Sequence, residues 1–171
     1  MLKAYKYRLY PNVEQRIMIG KTFGCVRFTY NKMLAERKEI YELYKDNKVA
    51  LKNKKLPTPA KYKTEFEWLR EVDSLSLANA QMNLDKAYKN FFRRIKNGEK
   101  EVGFPKFKSK RNPVKTYTTN NVNNNIDIKE NMIKLPKIGY VNCKFHREFQ
   151  GDIKSATVSK VASGKYELES S

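Results

Sequence analysis

The sequence predicts an α+β fold in which a small β-barrel is interrupted by an inserted α-helical domain. Three observations predict it: a strand pattern at the start, helical patterns through residues 11–100, and short strand patterns with turn residues through 101–171. Closely spaced short strands are typical of a small barrel or a curled sheet, and we expect the N-terminal strand to join the later ones. The predicted division is a barrel over 1–10 and 101–171, with a helical insert over 11–100.

The strands are predicted from alternation and from turn residues. Tyr5, Tyr7 and Leu9 share one side of a period-two pattern, which Pro11 ends. Later runs rich in β-formers are separated by Gly, Pro and Asn. They predict strands over residues 115–119, 125–128, 132–135, 138–145, 153–160 and 165–168.

A long helix is predicted after Pro11, because Asn12 and Gln15 have the spacing of a capping box. Gly20 and Gly24 lie inside it and each costs about 1 kcal/mol relative to Ala, so we expect a bend or break there. The helical spacing of apolar residues runs through Val13, Ile17, Phe23, Tyr30, Leu34, Tyr41 and Tyr44.

Three further segments complete the predicted helical insert. Residues 46–58 are polar and end in two prolines, which predicts a loop. A short helix should begin at Pro59, with Thr58 as its cap and with Tyr62, Phe66 and Leu69 facing inward. The clearest helix begins near Asp73 or Ser74 and ends at Gly98. Its apolar stripe is Leu77, Ala80, Leu84, Tyr88, Phe91 and Ile95.

The charge of the chain indicates a polyanionic partner. Thirty-six Lys and Arg oppose 18 Asp and Glu, a formal net charge of +18. Solubility alone requires far less, although a general surface bias without a ligand is the alternative. A membrane surface is disfavoured, because no apolar run approaches the roughly 18 residues of a span. The N-terminus lacks an apolar stretch of signal-peptide length, so we expect a cytoplasmic protein.

The metal-binding residue types are too few to predict a cofactor. Cys25 and Cys143 are far apart in sequence, and His146 is the only histidine. A structural zinc site generally takes four ligands in closely spaced pairs. We therefore expect no metal or cofactor, and two reduced cysteines packed in the fold.

The strongest candidate site residues lie between Lys86 and Lys115, where eleven basic residues accompany two acidic ones. Each group could instead be a solvated surface, but cations in an extended segment can follow a phosphate backbone. The aromatic residues Tyr88, Phe91, Phe92, Phe104 and Phe107 are expected to pack in the fold rather than stack on bases. The candidate phosphate contacts are Lys89, Arg93, Arg94, Lys96, Lys106, Lys108, Lys110 and Arg111.

Several sequence blocks, in order, resemble one family. They are RLYPNVEQ, CVRFTYNKML, WLREVD, NLDKAYKNFF, VGFPKFKSK, NNNI, IKLPKIG and SATVSK. Over residues 3–166 the chain resembles the N-terminal part of TnpB, also called OrfB, an RNA-guided nuclease of bacterial insertion sequences. The resemblance implies a wedge-like β-barrel with a helical recognition insert, a region often described as a helix-turn-helix. It also implies binding of a transposon-derived guide RNA and of target DNA with a short flanking motif.

The resemblance also assigns further candidate contacts. Ser74 to Asn79 and the asparagine loop occupy the positions from which relatives read the flanking motif, and the loop residues are Asn120, Asn121, Asn123 and Asn124. Asparagine can bond a base edge, but turn and cap chemistry is an equal alternative. The small side chains of Ser74, Ser76 and Ala78 leave the identity of the motif open. Candidate RNA contacts near the start are Arg8, Lys32 and Arg37.

The nuclease half of the family is RuvC-type, with three acidic metal ligands and a zinc ribbon. We expect both to be absent from this sequence, which ends in ELESS where relatives continue towards a Gly-x-Asp-x-Gly segment. The acidic residues Glu65, Glu67, Glu71, Asp73 and Asp85 are expected to be solvated or to cap helices. The leading hypothesis is a nucleic-acid-binding portion that does not cleave by itself, bound to the bacterial nucleoid. The alternatives are half of a split nuclease completed by a separately encoded part, and a repurposed regulator.

Overall fold

The computed structural model describes residues 4–144 and 152–171, and it has the order strand, helices, strands. This confirms the α+β class. The helices are α1 (Val13–Tyr44), α2 (Lys48–Asn53), α3 (Pro59–Glu65) and α4 (Ser74–Lys96), with a 3₁₀ turn at Glu67–Glu71 before α4. The strands are β1 (Tyr5–Tyr10), β2 (Lys115–Asn120), β3 (Asp127–Lys129), β4 (Met132–Leu135), β5 (Gly139–Lys144), β6 (Ser155–Lys160) and β7 (Tyr166–Ser170).

The described strands form one antiparallel sheet in the order β2-β6-β7-β1-β5-β4-β3. The N-terminal strand lies at its centre, where Tyr7 faces Leu168 of β7 and Leu9 faces Cys143 of β5. The prediction that β1 joins the later strands is therefore confirmed. The predicted end of the fifth strand at Phe145 lies outside the described residues, as does His146.

Among the described residues the sheet is not closed into a barrel, which corrects the prediction of a small β-barrel and leaves the alternative of a curled sheet. A flat sheet of these strands would place β2 and β3 about 29 Å apart, whereas the chain from Asn120 to Asp127 reaches about 25 Å at most. The sheet must therefore curl. However, no ladder joins β2 to β3 among the described residues. The connection bonds instead to the segment before β6, where the Asn121 N–H donates to the Lys154 carbonyl oxygen over 2.8 Å.

Helix α1 begins with the predicted capping box. The Gln15 N–H donates to Asn12 Oδ1 over 2.8 Å, and the Asn12 N–H donates to Gln15 Oε1 over 3.0 Å. The predicted break does not occur, since α1 runs through Gly20 and Gly24 as one helix of 32 residues. A buried central stripe that packs against α4 outweighs the glycine cost. Its apolar members are Ile19, Phe23, Val26, Tyr30, Met33 and Leu34.

Both ends of α1 extend beyond the core, which the apolar spacing did not indicate. Val13 and Ile17 are 62% and 57% exposed, and Tyr41 is 42% exposed. The predicted loop over 46–58 also differs, because it contains the short helix α2. The Asn47 side chain caps α2 by accepting from the Ala50 N–H over 3.1 Å. A local side-chain cap of this kind lets a polar run form one helical turn.

Helices α3 and α4 begin where the sequence predicts. Thr58 precedes α3, although its side chain makes no capping bond. Asp73 caps α4 by accepting from the Leu75 N–H over 3.0 Å. At the other end Gly98 has a φ of +76°, and the Glu99 N–H donates to the Arg94 carbonyl oxygen over 3.1 Å. This is a Schellman-type stop, for which the left-handed conformation favours glycine.

Sheet and helices share one contiguous buried cluster. It includes Leu9, Val141 and Leu168 of the sheet, with Met33 and Leu77 of the helices. The division into two domains therefore remains a prediction. Cys25 and Cys143 are free and buried, which confirms that they pack in the fold. No helix of the described residues is both long and apolar enough to cross a bilayer.

Candidate nucleic-acid interface

The second half of α4 presents a row of cations. Lys86, Lys89, Arg93 and Lys96 follow steps of three and four residues, so they share one helical face, and all four are exposed. None of them makes an ion pair within the described part of the chain. The row is about 15 Å long. It can therefore meet roughly four phosphates of one strand, which follow each other at about 3.4 Å along the axis.

Arg94 differs from the other predicted cations of α4. Its guanidinium bonds the carboxylate of Glu99, just beyond the helix. The positive charge of Arg94 in the last turn also stabilises α4, because cations interact favourably with the negative end of the helix dipole. We therefore take Lys89, Arg93 and Lys96 as the cations of α4 that remain available to a ligand.

The predicted basic segment after Gly103 is extended and is held against α1 by Asn31. The Lys108 N–H donates to Asn31 Oδ1 over 2.8 Å, and Asn31 Nδ2 donates to the Lys108 carbonyl oxygen over 2.9 Å. This two-point bond positions the cations of residues 106–111. Sequence reasoning missed it, because a single asparagine inside a helix gives no signal of a partner 77 residues away.

Lys108 is tied to the fold more closely than its neighbours. Its Nζ lies 4.6 Å from the centre of the Tyr30 ring. Although the residue as a whole is exposed, desolvation of the ammonium lowers the pKa of Lys108 below its ordinary value. By contrast, Lys106, Lys110 and Arg111 are exposed and make no ion pair among the described residues.

The aromatic residues of this region are only partly packed. Phe91 is buried and stacks on Phe104 at 4.4 Å between ring centres. Phe104 is nevertheless 48% exposed, Phe107 is 51% exposed and Phe92 is 55% exposed. The expectation that all of them pack inside the fold therefore holds for Phe91 alone of these four. The other three each offer ring surface to solvent.

At the opposite end of α4, Asn79 and Asn120 hold the helix to the sheet. Asn79 Nδ2 donates to Asn120 Oδ1 over 2.6 Å and to the Leu75 carbonyl oxygen over 2.9 Å. Thr119 also donates to the buried carboxylate of Asp73. Burial raises the pKa of Asp73, and the bonds from Thr119 and from the Leu75 N–H oppose that rise. The side-chain amides of Asn79 and Asn120 are therefore engaged in hydrogen bonds within the fold.

The rest of the asparagine loop divides in the same way. Asn121 Nδ2 donates to the Ile153 carbonyl oxygen over 2.9 Å, so this side chain holds the turn. Asn123 and Asn124 are exposed and have φ values of 53° and 60°. Asparagine tolerates this left-handed conformation better than most residues, so the turn explains both residues even without a ligand. Ser74 is also exposed, in the first turn of α4.

The two groups of candidate residues do not meet. Asn79 and Arg93 are about 21 Å apart along the α4 axis. One group is the asparagine loop with Ser74, and the other is the cationic row of α4 with residues 106–111. The Phe91–Phe104 stack links the last two to each other. A nucleic acid that touches both groups must therefore extend along α4.

The three candidate RNA contacts near the start of the chain have different environments. Arg37 is buried and bonds the carboxylate of Asp85, while its guanidinium lies 5.0 Å from the centre of the Tyr88 ring. Its pairing joins α1 to α4, so Arg37 is not displayed to a ligand. Lys32 is exposed beside the aromatic rings of the 3₁₀ region, and Arg8 is exposed on β1.

The acidic residues are dispersed. Six ion pairs occupy six of the basic side chains in the described part of the chain, against the 36 Lys and Arg of the sequence. Glu65, Glu67 and Glu71 are exposed. Within residues 4–144 and 152–171, no group of three or more His, Cys, Asp and Glu is placed to hold a metal ion.

Comparison with known proteins gives consistent matches. A family model described as a helix-turn-helix domain, of the OrfB_IS605 type, matches residues 1–46. InsQ of Escherichia coli K12, named as a candidate RNA-guided DNA endonuclease, is 32% identical over 162 residues, covering 93% of this chain and 38% of InsQ. The virulence protein VsdF of Salmonella dublin is 36% identical over 117 residues, covering 64% of this chain and 95% of VsdF. A candidate RNA-guided DNA endonuclease of Streptomyces pristinaespiralis is 34% identical over 109 residues, covering 64% of this chain and 26% of that protein.

Fold and relatives together define a protein of the TnpB type. The chain belongs to the TnpB/OrfB family of insertion-sequence proteins. It spans a little over a third of the length of InsQ. In the region matched as a helix-turn-helix domain, the described residues form β1 and the whole of the unbroken helix α1, and the first turn between helices comes after Tyr44.

Proposed function

We propose that this chain binds a guide RNA and its DNA target through two surfaces at opposite ends of α4. The observation that carries the proposal is the cationic surface, which we define as Lys89, Arg93 and Lys96 of α4 with Lys106, Lys110 and Arg111. These side chains are exposed and unpaired by acids among the described residues, and rigid contacts with α1 support the extended part. Lys108 and Arg94 contribute charge beside it. A surface of this kind suits phosphates rather than base edges.

We assign the flanking-motif contact to the other end of α4. In this proposal Ser74, Asn123 and Asn124 approach the DNA, while Asn79, Asn120 and Asn121 hold the loop in place. Glycine is the right replacement for the two exposed asparagines, because it keeps the positive φ and removes only the amide. Loss of a bidentate amide contact should reduce base discrimination by about 1–3 kcal/mol. Selection of bound sequences from a random duplex library would measure the loss.

We further propose that residues 1–171 bind without cutting, in the bacterial cytoplasm and on the nucleoid when bound to DNA. In this account the sheet part (1–10 and 101–171) and the helical part (11–100) both face the nucleic acid. A two-metal nuclease needs convergent carboxylates. The test is incubation of the chain with labelled RNA or duplex and Mg²⁺. Intact substrate is expected, and metal-dependent products from the purified chain would contradict this part.

Salt dependence tests the binding itself. If about eight phosphates are neutralised, the logarithm of the affinity for duplex DNA should fall with the logarithm of salt at a slope near −7. On a single strand the slope should be about −6. An affinity that barely changes between low and moderate salt would contradict the proposal.

A second candidate function is that of one portion of an RNA-guided DNA endonuclease completed by a separate polypeptide. The observation that favours it is the alignment, since 93% of this chain matches only 38% of InsQ. The experiment adds the remaining C-terminal portion of a family member as a second chain, with guide RNA and Mg²⁺. Guide-dependent cleavage that requires both chains would support this candidate. If the two chains together do not cleave the DNA, this candidate is contradicted.

A further inference from the structure

A groove separates α1 from the extended segment that Asn31 holds. It has a volume of about 380 Å³ and lies beside the cationic surface. Its apolar floor includes Phe23 and Val26, which are 8% and 6% exposed. Phe107 forms part of one wall and is 51% exposed, and Lys38 Nζ lies 4.6 Å from the centre of its ring, which leaves one ring face for a ligand. The groove is therefore a half-open cleft with a flat aromatic ring at its side.

The charged lining of the groove is cationic throughout. Arg27, Lys108 and Lys115 line it, and none of the described lining residues is acidic. The ammonium of Lys108 lies over Tyr30, and Lys115 Nζ donates to the Lys110 carbonyl oxygen over 2.5 Å. The Arg27 guanidinium makes no hydrogen bond or ion pair within the described residues, so its donors remain free for a ligand.

Flat aromatic surface, free cationic donors and a small volume select one kind of ligand. A ligand that complements this lining has an anionic group for the cations and a flat apolar face for the aromatic ring. A base inside a duplex cannot supply that face, because its neighbours cover it, whereas an unstacked base can. The volume falls in the range of small-molecule sites, which suits a single nucleotide better than a helix.

We propose that this groove captures one unpaired nucleotide of a bound strand, with its base against Phe107 and its phosphate on Arg27. The proposal rests on the proposed function, because it names the form of nucleic acid that one part of the binding surface accepts. The cationic surface would hold the continuous backbone, and the groove would add a preference for single-stranded segments. Lys115 supplies further positive charge at the groove.

The test compares a labelled oligouridylate of about ten nucleotides with an abasic strand of the same length and with an RNA duplex. Phe107→Ala should weaken binding of the oligouridylate by roughly 5- to 150-fold, the range of one lost base–aromatic stack. Binding of the abasic strand and of the duplex should change by less than about twofold, because neither offers a free base. Phe107→Trp, which keeps an aromatic face, should retain the affinity of the wild-type chain.

The control is Phe92→Ala, which removes a similarly exposed phenylalanine outside the groove. Thermal unfolding of each variant shows that it is folded. Arg27→Gln should weaken oligouridylate and abasic strands alike, since it removes a phosphate contact rather than a stack. The proposal is overturned if Phe107→Ala binds all three probes as the wild-type chain does. In that case salt-dependent binding would still support the proposed function, whereas no binding by the wild-type chain would overturn both.

Discussion

Replacement of Asp85 by alanine tests the connection between the two long helices. Asp85 is the acidic partner of Arg37, whose side chain is 9% exposed, whereas that of Asp85 is 42% exposed. The Arg37 Nε is buried and makes no hydrogen bond. Asp85→Ala would therefore leave a buried guanidinium with the Tyr88 ring as its nearest favourable contact.

The magnitude follows from the burial of the two partners. Breaking a fully buried pair costs about 3–5 kcal/mol, whereas an exposed pair contributes about 0–1 kcal/mol. With one partner buried and the other nearly half exposed, we expect a loss of about 2 kcal/mol in the free energy of unfolding. For a chain of this size that loss lowers Tm by roughly 4–8 °C.

The assay is urea and thermal unfolding of four variants. Glu39→Ala is the matched control, because it removes an exposed acid of α1 that makes no ion pair among the described residues. Arg37→Met removes the buried charge, so adding Asp85→Ala to it should cost little. A coupling of about 1–2 kcal/mol is expected. If Asp85→Ala unfolds within about 0.5 kcal/mol of the wild-type chain, the buried-pair argument is wrong.

Three further predictions concern the loop, the cap and the thiols. Asn31→Leu should speed tryptic cleavage near Lys108 by roughly 5- to 30-fold, because the two hydrogen bonds to the Lys108 backbone are lost. The control variant Asn90→Leu should leave the cleavage rate unchanged. Burial raises the pKa of Asp73 in the folded state, so its stabilising contribution exists at low pH and is lost as pH rises through that pKa. The free energy of unfolding of Asp73→Asn, measured in urea, should therefore increase relative to that of the wild-type chain as pH rises from about 4 to about 7. A relative decrease over that range would refute this. Burial also raises the pKa of Cys25, and that of Cys143 to about 12, so iodoacetamide should label the thiols only as the chain unfolds. Rapid labelling of folded protein would contradict that.

Local patterns in the sequence predicted the elements well, because their causes are local. The capping box at Asn12, the cap at Asp73 and the stop at Gly98 each depend on residues within one or two turns. The prediction of a break near Gly20 and Gly24 was wrong, because its outcome does not depend on local residues alone. Packing of α1 against α4 decided the outcome there, and that packing is a contact between distant parts of the chain.

The candidate site was less predictable, because burial and pairing separate residues of the same type. Arg37 and Arg93 look equivalent in the sequence, yet one is buried in an ion pair and the other is exposed. Asn121 and Asn123 differ in the same way, since the Asn121 side chain bonds the backbone, whereas Asn123 is exposed. Such differences depend on contacts across tens of residues, for which a single sequence offers no signal.

The salt dependence of duplex binding by a triple variant shows whether the cations of α4 bind phosphates. Lys89→Ala, Arg93→Ala and Lys96→Ala together remove three cations of the row on α4, and the control removes Lys48, Lys52 and Lys55, which are also exposed. Duplex affinity is measured by fluorescence anisotropy across a salt series. The slope is expected to change from about −7 to about −4 in the α4 variant and to stay near −7 in the control. Equal slopes in the two variants would contradict the claim that these side chains bind the phosphates.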